Sequence, residues 1–361
     1  MGSITLPVTV VDGHGRPVKN LKASDLILTD NGGKQKIESF TPVSPATPAP
    51  KSFGLVVQTT SSQEDELGDE RLAGVYFVDH TLSGTQDKIF VVDYAHEVDL
   101  LSNPTAKVNT LHDAVNQLGQ RQFGDQSKGK GSKNAPPHFG PSEGGARLYD
   151  AIYLASREVM KKVSGQHVLI VVGDGIDRGS KVSMQKAIRA AQDSNTAVFA
   201  IYFRGQQQRK KHNMGRDRRG PLGGGFPGRM PGGYPGGGYP GGGGYPGGGY
   251  PRGGGYPGGG GYPGGNTGGQ QPRPEEHPAR QYANGKQTLE HICSETGGYM
   301  VEGKHDKAEK SFDKITNLLN HQYKLIFVPS KGAKESDFQQ LSLKAFRKDI
   351  YPLMQQGYLG Q

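Results

Sequence analysis

The 361-residue chain contains no tryptophan and a single cysteine, Cys293. One cysteine excludes an intrachain disulfide framework. Long apolar runs are also missing, since the most continuous one, residues 197–203, is far shorter than the roughly 20 residues that cross a bilayer. We therefore expect no membrane span and a fold that depends on a buried core.

Recognisable catalytic and cofactor motifs are missing as well. The sequence contains no Gly-x-Ser-x-Gly elbow, no Walker loop, and no Gly-x-Gly-x-x-Gly after its first predicted central strand. Asp93-Tyr94-Ala95-His96 ends a predicted strand, but no activating partner can be placed beside it. Cys293 shares a predicted helix face with Leu289, which is typical of a buried structural thiol. We expect a protein that is not an enzyme.

Glycine is abundant, and most of the excess is local. Of 57 glycines, 28 lie between residues 220 and 269, among Tyr-Pro-Gly repeats. Residues 204–280 hold 11 Lys or Arg and 3 Asp or Glu, which is +8 of the total charge of +9. Such a composition buries too little apolar surface to offset the entropy of ordering. We predict that residues 204–285 form a disordered insert.

The insert begins with a basic cluster that consists of Arg209, Lys210, Lys211, Arg216, Arg218 and Arg219. Basic side chains neutralise phosphates or acidic sugars, and tyrosine stacks on bases. Tyr-Pro-Gly repeats are equally typical of flexible spacers and of self-associating segments. The insert is therefore a spacer or self-associating segment in one interpretation and a polyanion-binding arm in the other.

Outside the insert, strand and helix patterns alternate over residues 52–203 and 286–330. Continuous apolar runs predict strands that are covered on both faces, at residues 53–57, 89–92 and 168–172. Helical spacing of apolar residues lies between them, which favours a doubly wound, mostly parallel sheet with helices on both faces. Residues 1–43 and 331–361 read as short strands, and we predict that they build a small accessory β-domain.

Several short segments follow one another along the chain in an order and spacing that is typical of a known family. They are Pro17-Val18-Lys19-Asn20-Leu21, Gln58-Thr59-Thr60-Ser61-Ser62, Gly144-Gly145-Ala146-Arg147-Leu148, Gly173-Asp174-Gly175-Ile176-Asp177 and Glu295-Thr296-Gly297-Gly298. In this order and spacing the chain resembles von Willebrand factor A (vWA) domains, and more narrowly the acidobacterial VWFA-related proteins. The resemblance covers most of the chain outside the insert. It implies a vWA-like α/β fold.

The resemblance also implies a metal-ion-dependent adhesion site at the carboxyl ends of the parallel strands. Thr60, Ser62 and Asp174 match oxygen-bearing positions of that site. Gln58 stands where the family has an aspartate, and Ala146 where it has a threonine. Neutral oxygens hold Mg²⁺ less strongly than carboxylates do. We therefore expect no cofactor, with a divalent cation such as Mg²⁺ as the alternative.

The resemblance implies a non-enzymatic adhesion module that binds a protein partner through a rim formed by Gln58, Ala146 and Asp177. It further implies a secreted or extracytoplasmic protein, although no signal peptide is visible in the chain. The alternative is a protein that binds nucleic acid or acidic polysaccharide, or associates with itself, through the insert.

Overall fold

In the computed structural model, the structure describes residues 2–43, 49–60, 67–82, 86–120, 145–204, 278–329 and 338–359, without the side chains of 278–283 and 305. The strands are β1 (Ile4–Asp12), β2 (Leu26–Asp30), β3 (Gly33–Gln35), β4 (Ile37–Pro42), β5 (Lys51–Gln58), β6 (Lys88–Tyr94), β7 (Val98–Thr105), β8 (Gln166–Gly173), β9 (Thr196–Tyr202), β10 (Met300–Glu302), β11 (Tyr323–Phe327), β12 (Phe338–Ala345), β13 (Ile350–Leu353) and β14 (Gly357–Leu359). The helices are α1 (Leu67–Leu82), α2 (Val108–Asn116), α3 (Leu148–Leu154), α4 (Met184–Asp193), α5 (Pro278–Thr296) and α6 (Ala308–Leu319).

A six-stranded sheet in the order β10-β9-β8-β5-β6-β7 forms the centre of the structure. All its neighbouring strands are parallel except β7, which runs antiparallel to β6 at one edge. Numbered within the sheet, this is the 3-2-1-4-5-6 order of doubly wound folds. The mostly parallel α/β fold predicted from the sequence is confirmed.

Burial on both faces explains why the middle of β5, residues 53–57, is continuously apolar. Phe53, Leu55 and Val57 belong to a buried cluster that includes residues of α1, α2 and α6. Val56 belongs to a second buried cluster, with residues of α3, α4 and α5. Successive side chains of a strand point to opposite faces, so a strand with helices on both sides needs apolar residues at every position.

The two ends of the chain pair in two four-stranded sheets, in the orders β13-β1-β11-β4 and β14-β12-β2-β3. Both sheets contribute to one apolar cluster, in which the rings of Phe40 and Tyr323 stack with their centroids 4.5 Å apart. The Asp30-Asn31-Gly32-Gly33 turn joins β2 to β3, with Asp30 opposite Gly33. The β-domain is therefore built from segments that are distant in sequence.

One strand lies in a different sheet from the one that the sequence analysis assigns. The alternation of strand and helix patterns assigns residues 286–330 to the vWA-like domain, yet β11 within this range pairs with β1 and β4. Tyr323, Leu325 and Phe327 are buried, whereas Lys324 is exposed and Ile326 is half-buried. This alternation is typical of a sheet that has one face on a core and the other toward solvent.

Among the described residues, no helix is long and apolar enough to cross a membrane.

Candidate functional site

The carboxyl ends of β5 and β8 meet at the point where the strand order of the central sheet reverses. Sheets of this kind bind ligands in the crevice at that switch point. Gln58 is the last residue of β5, and Asp174 directly follows β8. The two positions that the sequence analysis selected are therefore neighbours in the fold.

Gln58 joins the two strand ends through its side-chain amide. Its Oε1 accepts a hydrogen bond from the backbone N–H of Asp174 at 2.9 Å, and its Nε2 donates to Thr60 Oγ1 at 2.9 Å. A backbone N–H can only donate, so the oxygen of the amide must face Asp174 and the nitrogen must face Thr60. Gln58 is only 2% exposed, so both hydrogen bonds are shielded from water.

Thr59, the residue after Gln58, connects the end of β5 to the strand on its other side, β6. Thr59 Oγ1 donates to a carboxylate oxygen of Asp93 in β6, and Thr59 N–H donates to the carbonyl of Tyr94 at 3.1 Å. The other oxygen of Asp93 accepts the backbone N–H of Gly119 at 2.8 Å. Burial raises the pKa of Asp93, while these hydrogen bonds oppose the rise. The end of β5 is thus held from both sides.

A buried tyrosine lies next to this bridge. A Cβ added to Gly173 would lie 2.8 Å from the hydroxyl of Tyr94 and would overlap Gln58 Oε1, so the strands approach closely here. The Tyr94 side chain is completely buried, and its hydroxyl has no hydrogen-bond partner among the described residues. Burial, with the charges of Asp174, Glu70 and Asp177, raises the pKa of Tyr94 well above its usual range. Tyr94 therefore stays neutral.

The loop after β8 is fixed by carboxylates that accept backbone N–H groups. Asp174 Oδ1 accepts from Ile176 N–H at 3.0 Å, and Asp177 Oδ1 accepts from Tyr149 N–H at 3.1 Å and from Ser180 Oγ at 2.5 Å. Asp150 makes further contacts of the same kind.

Asp150, in α3, is 7% exposed and accepts the backbone N–H groups of Lys181 and Val182, each at about 3 Å. The N–H of Asp150 in turn donates a hydrogen bond to Ser180 Oγ in the same loop, at 3.1 Å. Acidic residues at this end of the sheet thus have a structural task. The sequence analysis did not select Asp150, because its partners lie about 30 residues away and no local motif marks them.

Ala146 is positioned by its backbone. Its carbonyl accepts the N–H of Arg178 at 2.7 Å, and the two residues form an isolated antiparallel bridge. The side chain is 3% exposed and belongs to an apolar cluster that includes Val92, Tyr94 and Leu148. The methyl group therefore contributes to the core and offers no oxygen.

The predicted site residues fall into three groups. Gln58, Thr60 and Asp174 come together as described above. Gln58 and Ala146 are buried, so of the predicted partner-binding rim only Asp177 is partly exposed. Ser62 and the basic cluster of the insert lie outside the described residues, and the predicted disorder of 204–285 lies largely outside them too.

The described residues around Gln58, which do not include Ser62, do not by themselves fit the divalent cation that the resemblance implies. A hard cation needs several oxygen ligands, yet the donor end of the Gln58 amide is directed at the Thr60 oxygen. Ala146 supplies no side-chain oxygen, and the Tyr94 hydroxyl is neutral. Within the described part of the chain, no group of three His, Cys, Asp or Glu residues is placed to hold a metal.

Helix α5 closes the site from the side on which the chain returns from the insert. Gly285 packs against the backbone of Asp174 and Gly175. At the other end of the insert, Phe203 N–H donates to the carbonyl of Gly173 at 3.0 Å. Both described ends of the insert therefore lie next to the end of β8.

Comparisons with known proteins found similarity in structure only. No protein-family model matches the sequence, and no curated protein matches it.

Three of the similar solved structures illustrate the range of sequence identity, coverage and TM-score. The vWF domain of the type V pili tip protein Mfa5 from Porphyromonas gingivalis is 20% identical, with 36% of this chain and 40% of that chain covered and a TM-score of 0.28. An aerotolerance-related membrane protein from Bacteroides fragilis is 10% identical, with 74% and 98% covered and a TM-score of 0.41. Proximal thread matrix protein 1 from the mussel byssus, solved with a zinc-occupied adhesion-site motif, is 12% identical, with 81% and 50% covered and a TM-score of 0.42.

The chain thus spans 40% of the length of the first of these structures. The fold assignment rests on the strand order and the antiparallel edge strand of the central sheet.

Proposed function

We propose that this chain, a vWA-like domain with an accessory β-domain, is a non-enzymatic module that binds a protein partner at the carboxyl ends of its central strands. The proposal includes an extracytoplasmic location and an adhesion site that has lost its divalent cation. The observation that supports it is the Gln58–Asp174 bridge, because its hydrogen bonds connect the ends of β5 and β8 through a neutral side chain at the ligand-binding end of the sheet.

The surface available to a partner begins just outside this buried bridge. Asp177 is partly exposed, and Arg178, Gly179 and His96 are exposed. The backbone beneath them is fixed by the Ala146–Arg178 bridge and by the hydrogen bonds of Asp177. A rim on a rigid base is suited to protein recognition, because little conformational entropy is lost on binding.

The experiment compares two charge reversals at opposite ends of the sheet. Arg178→Glu changes the proposed rim, and Lys88→Glu makes the same change at the exposed start of β6. Partner capture is measured with the secreted fraction of the source cells in EDTA. We expect capture to persist in EDTA, to fall at least about tenfold with Arg178→Glu, which corresponds to 1.4 kcal/mol, and to be retained with Lys88→Glu. Equal loss in both variants would show that the rim is not the binding surface.

A second candidate function is favoured by the charge distribution, since residues 204–280 carry nearly all the net charge. In this proposal the cluster around Arg209 and Arg216 binds nucleic acid or an acidic polysaccharide. Affinity for heparin or single-stranded DNA should then fall steeply with salt, because binding releases counterions. Deletion of residues 205–277 should abolish it and leave the melting temperature nearly unchanged. Binding that survives the deletion would rule this candidate out.

A further inference from the structure

We infer that the Gln58 carboxamide takes the place of the divalent cation, holding the ends of β5 and β8 together permanently, so that the binding site is assembled independently of metal. The inference rests on the proposed function and concerns how the same site is regulated. Gln58 is then a positioning residue, acting through Thr60 and Asp174 rather than on a partner directly.

The Gln58 amide connects the two strand ends that a cation at this site would connect. A bound cation would join loops by drawing their oxygens toward one point. Gln58 joins the same two loops with one acceptor and one donor, each 2.9 Å from its partner. The acceptor end reaches across the switch point to the residue that follows β8, and the donor end holds the Thr60 hydroxyl, two residues after the end of β5.

The polarity of the Gln58 amide disfavours a cation next to Thr60. The hydrogens of Nε2 carry partial positive charge toward Thr60 Oγ1, which is one of the oxygens that would bind a cation. A cation near this oxygen would be repelled by those hydrogens. The amide cannot rotate to present its oxygen instead, because its nitrogen would then face the N–H of Asp174, and two donors would oppose each other.

The Gln58 amide has little free space on the side of β8. Gly173 has no side chain, and a methyl group there would overlap Gln58 Oε1. Gln58 is 2% exposed and Asp174 is 3% exposed. The amide is therefore enclosed by backbone on the β8 side, which keeps it in the bridging conformation and excludes competing water.

The inference predicts that a single substitution changes the response of the protein to metal. Gln58→Asp supplies a carboxylate at the position of the family's aspartate, while Gln58→Asn has the same size and shape without the charge. Both variants lose the length that the bridge needs, so the difference between them reports the charge alone. The melting temperature of the full chain is measured in EDTA and in 10 mM Mn²⁺ or Mg²⁺.

We expect the melting temperature of the wild type and of Gln58→Asn to change by no more than about 1 °C with metal. That of Gln58→Asp should rise by about 5 °C, as expected for a ligand present well above its dissociation constant. Adding Asp174→Ala to Gln58→Asp should remove the rise. A wild type that is itself stabilised by metal, with the effect lost in Asp174→Ala, would overturn the inference, as would equal responses of the Asp and Asn variants.

A second measurement, hydrogen exchange, includes a comparison on the wild type alone, which does not depend on any variant folding. Hydrogen exchange of the Asp174 amide, which donates to Gln58 Oε1, should be unchanged by EDTA. In Gln58→Leu, which has a similar size but makes neither hydrogen bond, this exchange should accelerate by about tenfold or more. Faster wild-type exchange in EDTA would overturn the inference. None of these readouts involves a partner, so the inference can hold even if the proposed rim fails its capture test.

Discussion

Gly285 in α5 is the residue whose replacement tests most directly how the helix and the strand-end loop are packed. A Cβ at this position would overlap the carbonyl oxygen of Asp174, and would lie 2.9 Å from Ile176 Cγ1 and 3.1 Å from the carbonyl carbon of Gly175. Two of these three atoms belong to the backbone. The clash of Gly285→Ala can therefore be relieved only by moving α5 or the loop that contains Asp174.

The size of the effect follows from two opposing terms. Overpacking of this kind costs about 1–3 kcal/mol, and more when backbone must move. Alanine is favoured over glycine within a helix by about 0.5–1 kcal/mol. We therefore expect Gly285→Ala to lower the free energy of unfolding by about 2 kcal/mol and the melting temperature by about 4–8 °C.

Gly68→Ala is the matched control, because Gly68 is also in a helix, α1, and a Cβ added there would have no neighbour within 4 Å among the residues that the structure describes. This variant should be as stable as the wild type or more stable by about 0.5 kcal/mol. Both variants are followed by urea and thermal unfolding with far-ultraviolet circular dichroism. If Gly285→Ala were stabilised as much as Gly68→Ala, the close approach of α5 to the loop after β8 would be refuted.

Three other predictions concern buried polar groups. Asp150→Ala should lower the free energy of unfolding by about 2–3 kcal/mol in urea titrations, because it leaves two backbone N–H groups without their acceptor; an unchanged midpoint would contradict this. Burial raises the pKa of Asp93 above 3.8. The folded state therefore binds the Asp93 proton more tightly than the unfolded state does. The stability of the wild type relative to Asp93→Asn should consequently decrease as the pH rises from about 3.8 through the folded pKa. A difference that increases with pH would have the wrong sign. Burial also raises the pKa of Cys293, whose residue is only 2% exposed. Iodoacetamide at pH 8 should therefore label the folded protein at least about a hundredfold more slowly than the urea-unfolded protein. Similar labelling rates would show that the thiol is accessible in the folded state.

The central strands could be predicted from the sequence because their physical requirement is local. β8 contains Val168-Leu169-Ile170-Val171-Val172, and all five residues are buried. A strand with helices on both faces cannot tolerate polar side chains in this stretch, so the composition alone identifies it. The end of α5 is equally local, since Gly297, with a φ of +82°, directly follows its last residue.

The sheet to which a strand belongs is less easily predicted. β11 follows the last helix of the vWA-like domain, and the regular alternation of strands and helices favours adding it to the central sheet. Its partners are instead β1, whose Leu6 lies opposite Leu325, and β4, whose Phe40 lies opposite the same residue. Pairing over more than 280 residues depends on tertiary contacts that no local pattern reports. The alternation of Tyr323, Leu325 and Phe327 with less buried residues was the available signal.

The same distinction applies to the site. That Gln58 and Asp174 lie together follows from strand order, because both end parallel strands on either side of the switch point. The direction of the Gln58 amide does not follow from the sequence, since it is set by a backbone N–H that lies 116 residues away. The sequence places Asp93 at the end of a strand, but its role as an acceptor for Thr59 and Gly119 depends on residues that are 34 and 26 positions away.

The inferred substitution of the Gln58 amide for a cation predicts a different dependence of the stability of this end of the sheet on solution conditions. A bound cation stabilises the folded state by an amount that grows with the logarithm of its concentration and disappears when the ion is removed. Two buried hydrogen bonds contribute about 1 kcal/mol each whatever the ionic conditions. Gln58 therefore gives up the capacity for control by metal and in return keeps the ends of β5 and β8 in one arrangement. A binding surface built on this base is preorganised at all times, so its affinity for a partner should be the same in EDTA and in millimolar Mg²⁺.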